Sequence, residues 1–182
     1  MAKNLMKAGY ELYVYDLFPD PVAELEKEGA KGCKSAAEAS SNTNITITMV
    51  QDGPQAESAI LGENGVSDGA SEGHLVVDMS SIAPGVSQRI GAGCTEKGIN
   101  FLDAPVSGGE PFAISGELAI MVGGSADDFE QAKPLFDILG KSAILCGKHG
   151  AGQVTKLANQ ICVGANIHAL AEALALAAKS GV

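Results

Sequence analysis

Lys156 stands where an ordinary lysine is out of place. Residues Ala151–Lys179, AGQVTKLANQICVGANIHALAEALALAAK, read as one long helix, and between Lys156 and Lys179 the only full charge is Glu172. A helix that is apolar on nearly every side is expected to be buried inside a larger assembly. Asn159, Gln160 and Val163 follow Lys156 by three, four and seven positions and therefore share its face. An ammonium on that face has two options. It can stretch its aliphatic stem until the head reaches water, as a surface lysine does. Otherwise it is a positioned proton donor whose polar helix-mates orient a substrate, because an unpaired buried charge is expensive.

Four strand ends carry groups that could serve such a site, since ligands of open α/β sheets bind beyond the carboxyl ends of the strands. Asp16 closes the run ELYVYD; an acid there either accepts hydrogen bonds from an adenosine ribose or caps a turn. Val50-Gln51 ends the run ITITMV, and Ser80-Ser81 follows LVVDM, where hydroxyls can contact a ribose or simply make a turn. Ser107-Gly108-Gly109, within LDAPVSGGE, carries the clearest signal. Two glycines let backbone N–H groups approach an anion closely and the serine adds a donor, which suits a carboxylate; a plain glycine turn is the alternative. Gly150-Ala151-Gly152 then sets a helix start, with free N–H groups and a favourable dipole, close to Lys156.

The elements that must position these groups alternate between short β-rich runs and helical stretches, the pattern of an α/β protein with a largely parallel sheet. Helices are expected over 1–8, 21–28, 35–41, from Pro54, from Pro84 to Lys97, and from Ser125 to Leu139, the last opened by a capping box with Asp128 in the place of the usual Glu. Strands are expected over 11–16, 45–50, 75–79, 100–103, 118–122 and 142–146, with a Gly- and Pro-rich loop between the fourth and fifth. LVVDM is apolar enough to be buried on both faces. Beyond Gly147 the chain becomes purely helical, so a domain boundary is placed there, dividing 1–147 from 148–182.

Composition narrows the function classes. The 182 residues are 46% hydrophobic and 19% charged, enough for a real core. Trp is absent and aromatics make up 4%, which removes the usual stacking platforms for nucleic acid, and a net charge of −10 disfavours polyanions and anionic membrane surfaces. Cys33, Cys94, Cys146 and Cys162 are far apart and form no CxxC pair, and His74, His149 and His168 are scattered, so no metal site is expected and a reducing cytoplasm fits best. No signal peptide or membrane span is expected, the first apolar stretch being broken by Lys3, Lys7 and Glu11. A chain that opens inside a helix is expected to lack the strand before it, and one that stops at Ser180-Gly181-Val182 leaves an apolar helix uncovered, so a fragment is expected.

The motifs LGENG, VDMSSIAP, LDAPVSGGEP, MVGG and GAGQVTKLANQ together resemble the β-hydroxyacid dehydrogenase (3-hydroxyisobutyrate dehydrogenase-related) family over essentially the whole chain. The resemblance implies a Rossmann-like, doubly wound, mostly parallel sheet lacking its first strand, followed by the start of an all-helical domain. It implies NAD or NADP as cofactor, with Asp16 favouring NAD, and contacts to it from Asp16, Val50, Gln51 and Ser81. It implies that a nicotinamide delivers hydride to the aldehyde carbon of a 3-oxo acid, tartronate semialdehyde first among them, while Lys156 protonates the forming alkoxide. Ser107, Gly108 and Gly109 match the substrate's carboxylate cradle and Asn159 would orient the substrate. Many relatives carry the asparagine four positions after the lysine, where this chain has Gln160, so either residue could hold that role. Oxidation of 3-hydroxyisobutyrate or reduction of another short semialdehyde or glyoxylate is the alternative within the class. A non-catalytic interaction module is the alternative outside it, favoured by the absence of a glycine-rich pyrophosphate turn. Assembly as a homo-oligomer through the helical C-terminal region is expected.

Overall fold

The computed structural model describes residues 1–182. The chain opens with helix α1 (Ala2–Lys7), then strand β1 (Tyr13–Val14), helix α2 (Pro19–Lys27), strand β2 (Lys31–Gly32), helix α3 (Ala36–Ser41) and strand β3 (Ile45–Thr48). Helices α4 (Gly53–Leu61) and α5 (Val66–Gly69) lead to strand β4 (Leu75–Asp78), helix α6 (Pro84–Glu96) and strand β5 (Asn100–Asp103). Strand β6 (Val106–Ser107), helix α7 (Gly109–Ser115), strand β7 (Leu118–Gly123), helix α8 (Ala126–Leu139), strand β8 (Gly140–Gly147) and helix α9 (Ala151–Lys179) complete it. Pro54 and Pro84 lie in the first turns of α4 and α6, where a missing N–H costs nothing. Ser35, Asp52 and Ser125 cap their helices by accepting from Glu38, Gln55 and Asp128 N–H groups.

Alternate residues of the central strands feed two cores. Leu75, Val77 and Met79, with Leu102, pack with Leu5 of α1 and with Ala132, Leu135, Phe136 and Leu139 of α8. Val76 and Phe101 point the other way, toward Ala56 and Ile60 of α4, Val66 of α5, and Ile90 and Cys94 of α6. Every residue of β4 is buried for this reason, as its continuous apolar run requires. Helices on both faces make the sheet doubly wound.

The sheet departs from the expected picture in three ways. β3, β4 and β5 are parallel, but β7 runs antiparallel to β5 and to β6 while pairing in parallel with β8. The stretch between β5 and β7, expected to be a loop, contains β6 and α7; Val106 pairs with Ile120 and Ser107 with Ala119, so β6 continues along the edge of β7 that β5 begins. Finally, β1 and β2 form a separate parallel pair. β1 covers two residues rather than six because its ladder ends where its short partner ends. An apolar cavity of about 560 Å³ opens between β1 and β3, lined by Leu5, Leu12, Val14, Ile45 and Ile47 among others.

Helix α9 has 29 residues, roughly 43 Å at a rise of about 1.5 Å each. Only Gly152, Gln153 and Lys156 are buried; Ile161, Ile167, Leu170, Leu174 and Leu176 stand exposed. Its mean hydropathy reaches 1.6 over 18 residues, so by length and composition alone it is long and apolar enough to cross a membrane.

Candidate active site

The first turn of α9 is anchored by a buried acid. Asp103, the last residue of β5, accepts the Gly150 N–H at Oδ1 (2.7 Å) and the Gln153 N–H at Oδ2 (3.0 Å). The helix start therefore has no N–H groups free for a ligand at these two positions, correcting the sequence expectation: an internal carboxylate already occupies the positive end of the helix. Burial pushes the Asp103 carboxyl up from its usual value, and these two N–H bonds oppose the push. The approach depends on glycine. Gly150 turns with φ of +90°, and a Cβ on Gly152 would strike the Met121 carbonyl and come within 2.8 Å of Asp103 Oδ2.

Gln153 extends the anchorage to another element. Its side chain is wholly enclosed, with Oε1 accepting from the Ile82 N–H at 3.0 Å and Nε2 donating to the Ser80 carbonyl at 2.8 Å. One turn on, Lys156 is 9% exposed. It takes part in none of the ion pairs of the chain, all of which lie on the surface. Burial alone lowers its affinity for the proton below that of an ordinary lysine. Of the two options for this residue, the fold has taken the buried one.

The Ser107 bend faces the same helix. Gly108 (φ +138°) and Gly109 (φ +71°) turn the chain from β6 into α7, and a Cβ on Gly108 would meet the Phe112 side chain at 2.7 Å. Both glycines are exposed and Ser107 is half-buried. Asn159 Nδ2 donates to Ser107 Oγ at 3.3 Å, so the α9 face that bears Lys156 is joined to the bend. Gln160 is exposed and its Oε1 accepts only from Asn159, at 3.4 Å. Asn159, rather than Gln160, is the residue brought to Ser107.

The ends of β3 and β4 form a second cluster. Thr48 Oγ1 and the Ser80 N–H donate to Asp78 Oδ1 at 2.9 and 3.2 Å, and the Val50 N–H donates to Ser80 Oγ at 2.9 Å. Asp78 is fully buried, its Oδ2 has no partner, and burial first, with Asp103 on the neighbouring strand adding to it, raises its carboxyl above the usual range. Gln51 and Ser81, next along these parallel strand ends, are exposed. Asp16 lies apart: it follows β1 in the separate two-stranded sheet, its Oδ1 accepts the Phe18 N–H at 2.8 Å, and no hydrogen bond ties it to Val50, Gln51 or Ser81. One of its oxygens thus makes a turn and the other is available.

Asp103, Gln153 and Asp78 are the functional neighbours that sequence reasoning overlooked. Gln153 had a visible signal, since it precedes Lys156 by three positions and shares its face. Asp103 and Asp78 had none beyond standing at strand ends.

Residues 1–149 match the family model described as the NAD binding domain of 6-phosphogluconate dehydrogenase, and residues 150–182 match that described as the NAD-binding of NADP-dependent 3-hydroxyisobutyrate dehydrogenase. Over all 182 residues the chain is 46% identical to a 2-hydroxy-3-oxopropionate reductase of Escherichia coli (strain K12), covering 62% of its length. It is 39% identical to a 3-hydroxyisobutyrate dehydrogenase of Pseudomonas aeruginosa, covering 61% of that protein. The solved structure of Mycobacterium tuberculosis 3-hydroxyisobutyrate dehydrogenase with L-serine superposes with a TM-score of 0.90 at 31% identity, over 99% of this chain and 61% of that one. The chain thus spans about three fifths of the length of these relatives.

Proposed function

The chain belongs to the β-hydroxyacid dehydrogenase (3-hydroxyisobutyrate dehydrogenase-related) family, and on that premise we propose that its 182 residues carry the proton-donating and nicotinamide-binding groups of an oxidoreductase that reduces tartronate semialdehyde to D-glycerate. One observation carries the reading: Lys156 is buried without a counter-ion on a helix face that Asn159 joins to the Ser107-Gly108-Gly109 bend. The choice of substrate rests on the likeness to the Escherichia coli reductase, with the 3-hydroxyisobutyrate dehydrogenases next.

Each group has a separate task. The exposed N–H groups of Gly108 and Gly109 and the Ser107 hydroxyl hold the substrate carboxylate, and Asn159 aligns the carbonyl by its amide. When bound, NADH or NADPH supplies hydride to the carbonyl carbon. Lys156 gives a proton from Nζ to the oxygen as it becomes an alkoxide, so the aldehyde gains one hydride and one proton and becomes an alcohol. An ammonium whose proton affinity burial has lowered makes that transfer easier, and the amine left behind is neutral, the form that burial favours. Gln51, Ser81, the Val50 backbone and the available oxygen of Asp16 fit the ribose and nicotinamide portions of the cofactor, and Asp16 favours NAD over NADP. No G-x-G-x-x-G turn occurs within these 182 residues. Residues 1–147 are read as the cofactor-binding unit and 148–182 as the helix leading to a helical region through which copies associate. Four unpaired cysteines suit a reducing cytoplasm.

The test is a titration with NADH and NADPH followed by turnover on a panel of short semialdehydes. Cofactor binding with preference for tartronate semialdehyde supports the reading, and Lys156→Ala is expected to reduce turnover roughly a hundred- to ten-thousand-fold while leaving cofactor affinity intact. Near-unchanged turnover in that variant removes Lys156 from the mechanism. No binding at millimolar cofactor supports the other reading, a non-catalytic module.

A further inference from the structure

Lys156 and the turn after β4 must keep a fixed relation if the amine and Ser81 are to act on one ligand, yet they are far apart in the chain. The bonds that hold them run through Gln153, whose partners Ile82 and Ser80 are 71 and 73 positions away. We propose that Gln153 is a positioning residue for Lys156: its carboxamide clamps the Lys156 turn of α9 to the Ser80–Ile82 turn and so fixes where the ammonium sits. The inference rests on the reading of Lys156 as the proton donor.

The geometry calls for this residue type. Ser80 presents a carbonyl and Ile82 an N–H, and a carboxamide offers one donor and one acceptor in a single plane to meet both. A glutamate cannot donate, a lysine cannot accept, and an asparagine is one methylene short. The clamp is also distinct from the helix cap. Asp103 binds backbone N–H groups of Gly150 and Gln153, which secures the helix end to β5 whatever the side chain at 153. Of the α9 side chains, only that of Gln153 hydrogen-bonds to the Ser80–Ile82 turn. Because Gln153 is 1% exposed, water cannot replace either bond if the side chain is lost. The charged or titratable groups on the elements packed against α9 are Asp103 on β5, Arg89, Cys94 and Glu96 on α6, and Lys141 and Cys146 on β8, with His149 ahead of the helix, and none of the carboxylates pairs with Lys156.

The test needs neither cofactor nor substrate. In the full chain with 13C-labelled lysine side chains, the Lys156 resonance is assigned by its loss in Lys156→Met and followed against pH. Gln153→Met keeps the length and bulk of the side chain but makes neither bond. The expected result is a folded protein whose Ile82 amide loses hydrogen-exchange protection and whose Lys156 midpoint moves up toward those of the exposed lysines. A move of ~0.5 pH units, a threefold change in the protonation constant, is the size sought. If the variant does not fold, Gln153→Asn, with the same group drawn back from both partners, is expected to give the same two changes. A lowered melting temperature with the Lys156 midpoint unmoved in the folded protein would mean a purely structural role and overturn the inference. Retained turnover in Lys156→Ala would sink the proposed reaction instead, and leaves this readout untouched.

Discussion

Lys156 is held in the form the interior likes least. Its burial without a counter-ion lowers its proton affinity in the folded state relative to the unfolded chain, whose value is near 10.5. Below both values lysine is charged in each state and the folded protein bears the full penalty. As pH rises through the lowered folded value toward the unfolded one, the folded state loses its proton first and stability recovers. Lys156→Met is therefore expected to unfold at higher urea than the parent at neutral pH, with the gap narrowing as pH rises toward that of free lysine. A gap that stays constant or widens would mean the ammonium is well solvated. Under the proposed reaction, stability given up at Lys156 is what a proton donor costs its fold. Asp78 and Asp103 belong to the same pattern, with burial raising both carboxyls.

At the scale of elements, the start of α9 shows why glycines recur in MVGG and GAG. Cβ atoms on Gly123 and Gly152 would both run into Asp103, so helix, strand and carboxylate meet only because neither residue has a side chain. Gly164 lies in the same helix with nothing near its Cβ direction. The two positions should respond oppositely to alanine. Gly152→Ala is expected to destabilise the chain by about 1–3 kcal/mol through overpacking. Gly164→Ala is expected to stabilise it by up to about 1 kcal/mol through helix propensity. Urea unfolding of both variants checks this, and equal effects would show that α9 does not pack as described. Helix α7 and strand β6 make a related point: φ values of +138° and +71° at Gly108 and Gly109 turn a strand into a helix where composition suggested only a loop.

For the whole molecule, the question is what covers α9. Ile161, Ile167, Leu170, Leu174 and Leu176 are all more than half exposed. Each such side chain gains about 1.5–3 kcal/mol when fully buried, so a helix carrying several of them has strong reason to associate. Self-association is the expected outcome in sedimentation equilibrium, and Leu170→Lys with Leu174→Lys should shift the distribution to smaller species. A parent chain that stays monomeric across concentrations, or that partitions into lipid vesicles, would refute association through these residues. The same scale explains the two sheets. β1 and β3 do not pair with each other, and the apolar cavity lies between them.

The amino-acid order alone marked Lys156, Asn159, the Ser107 bend and the strand ends near Val50 and Ser80, and it located most helices and strands to within a few residues. It could do so because capping, proline placement, glycine turns and apolar periodicity are local: each is written within a handful of consecutive residues. What the folded chain alone decided is which groups meet. The antiparallel insertion of β7, the separation of β1 and β2, the choice of Asn159 over Gln160, the capture of α9's first N–H groups by Asp103 and the Gln153 bridge to Ser80 and Ile82 all join residues remote in sequence or depend on how they pack. Such pairings follow from the competition of whole surfaces for burial and of buried polar atoms for partners, and neither leaves a trace at any single position.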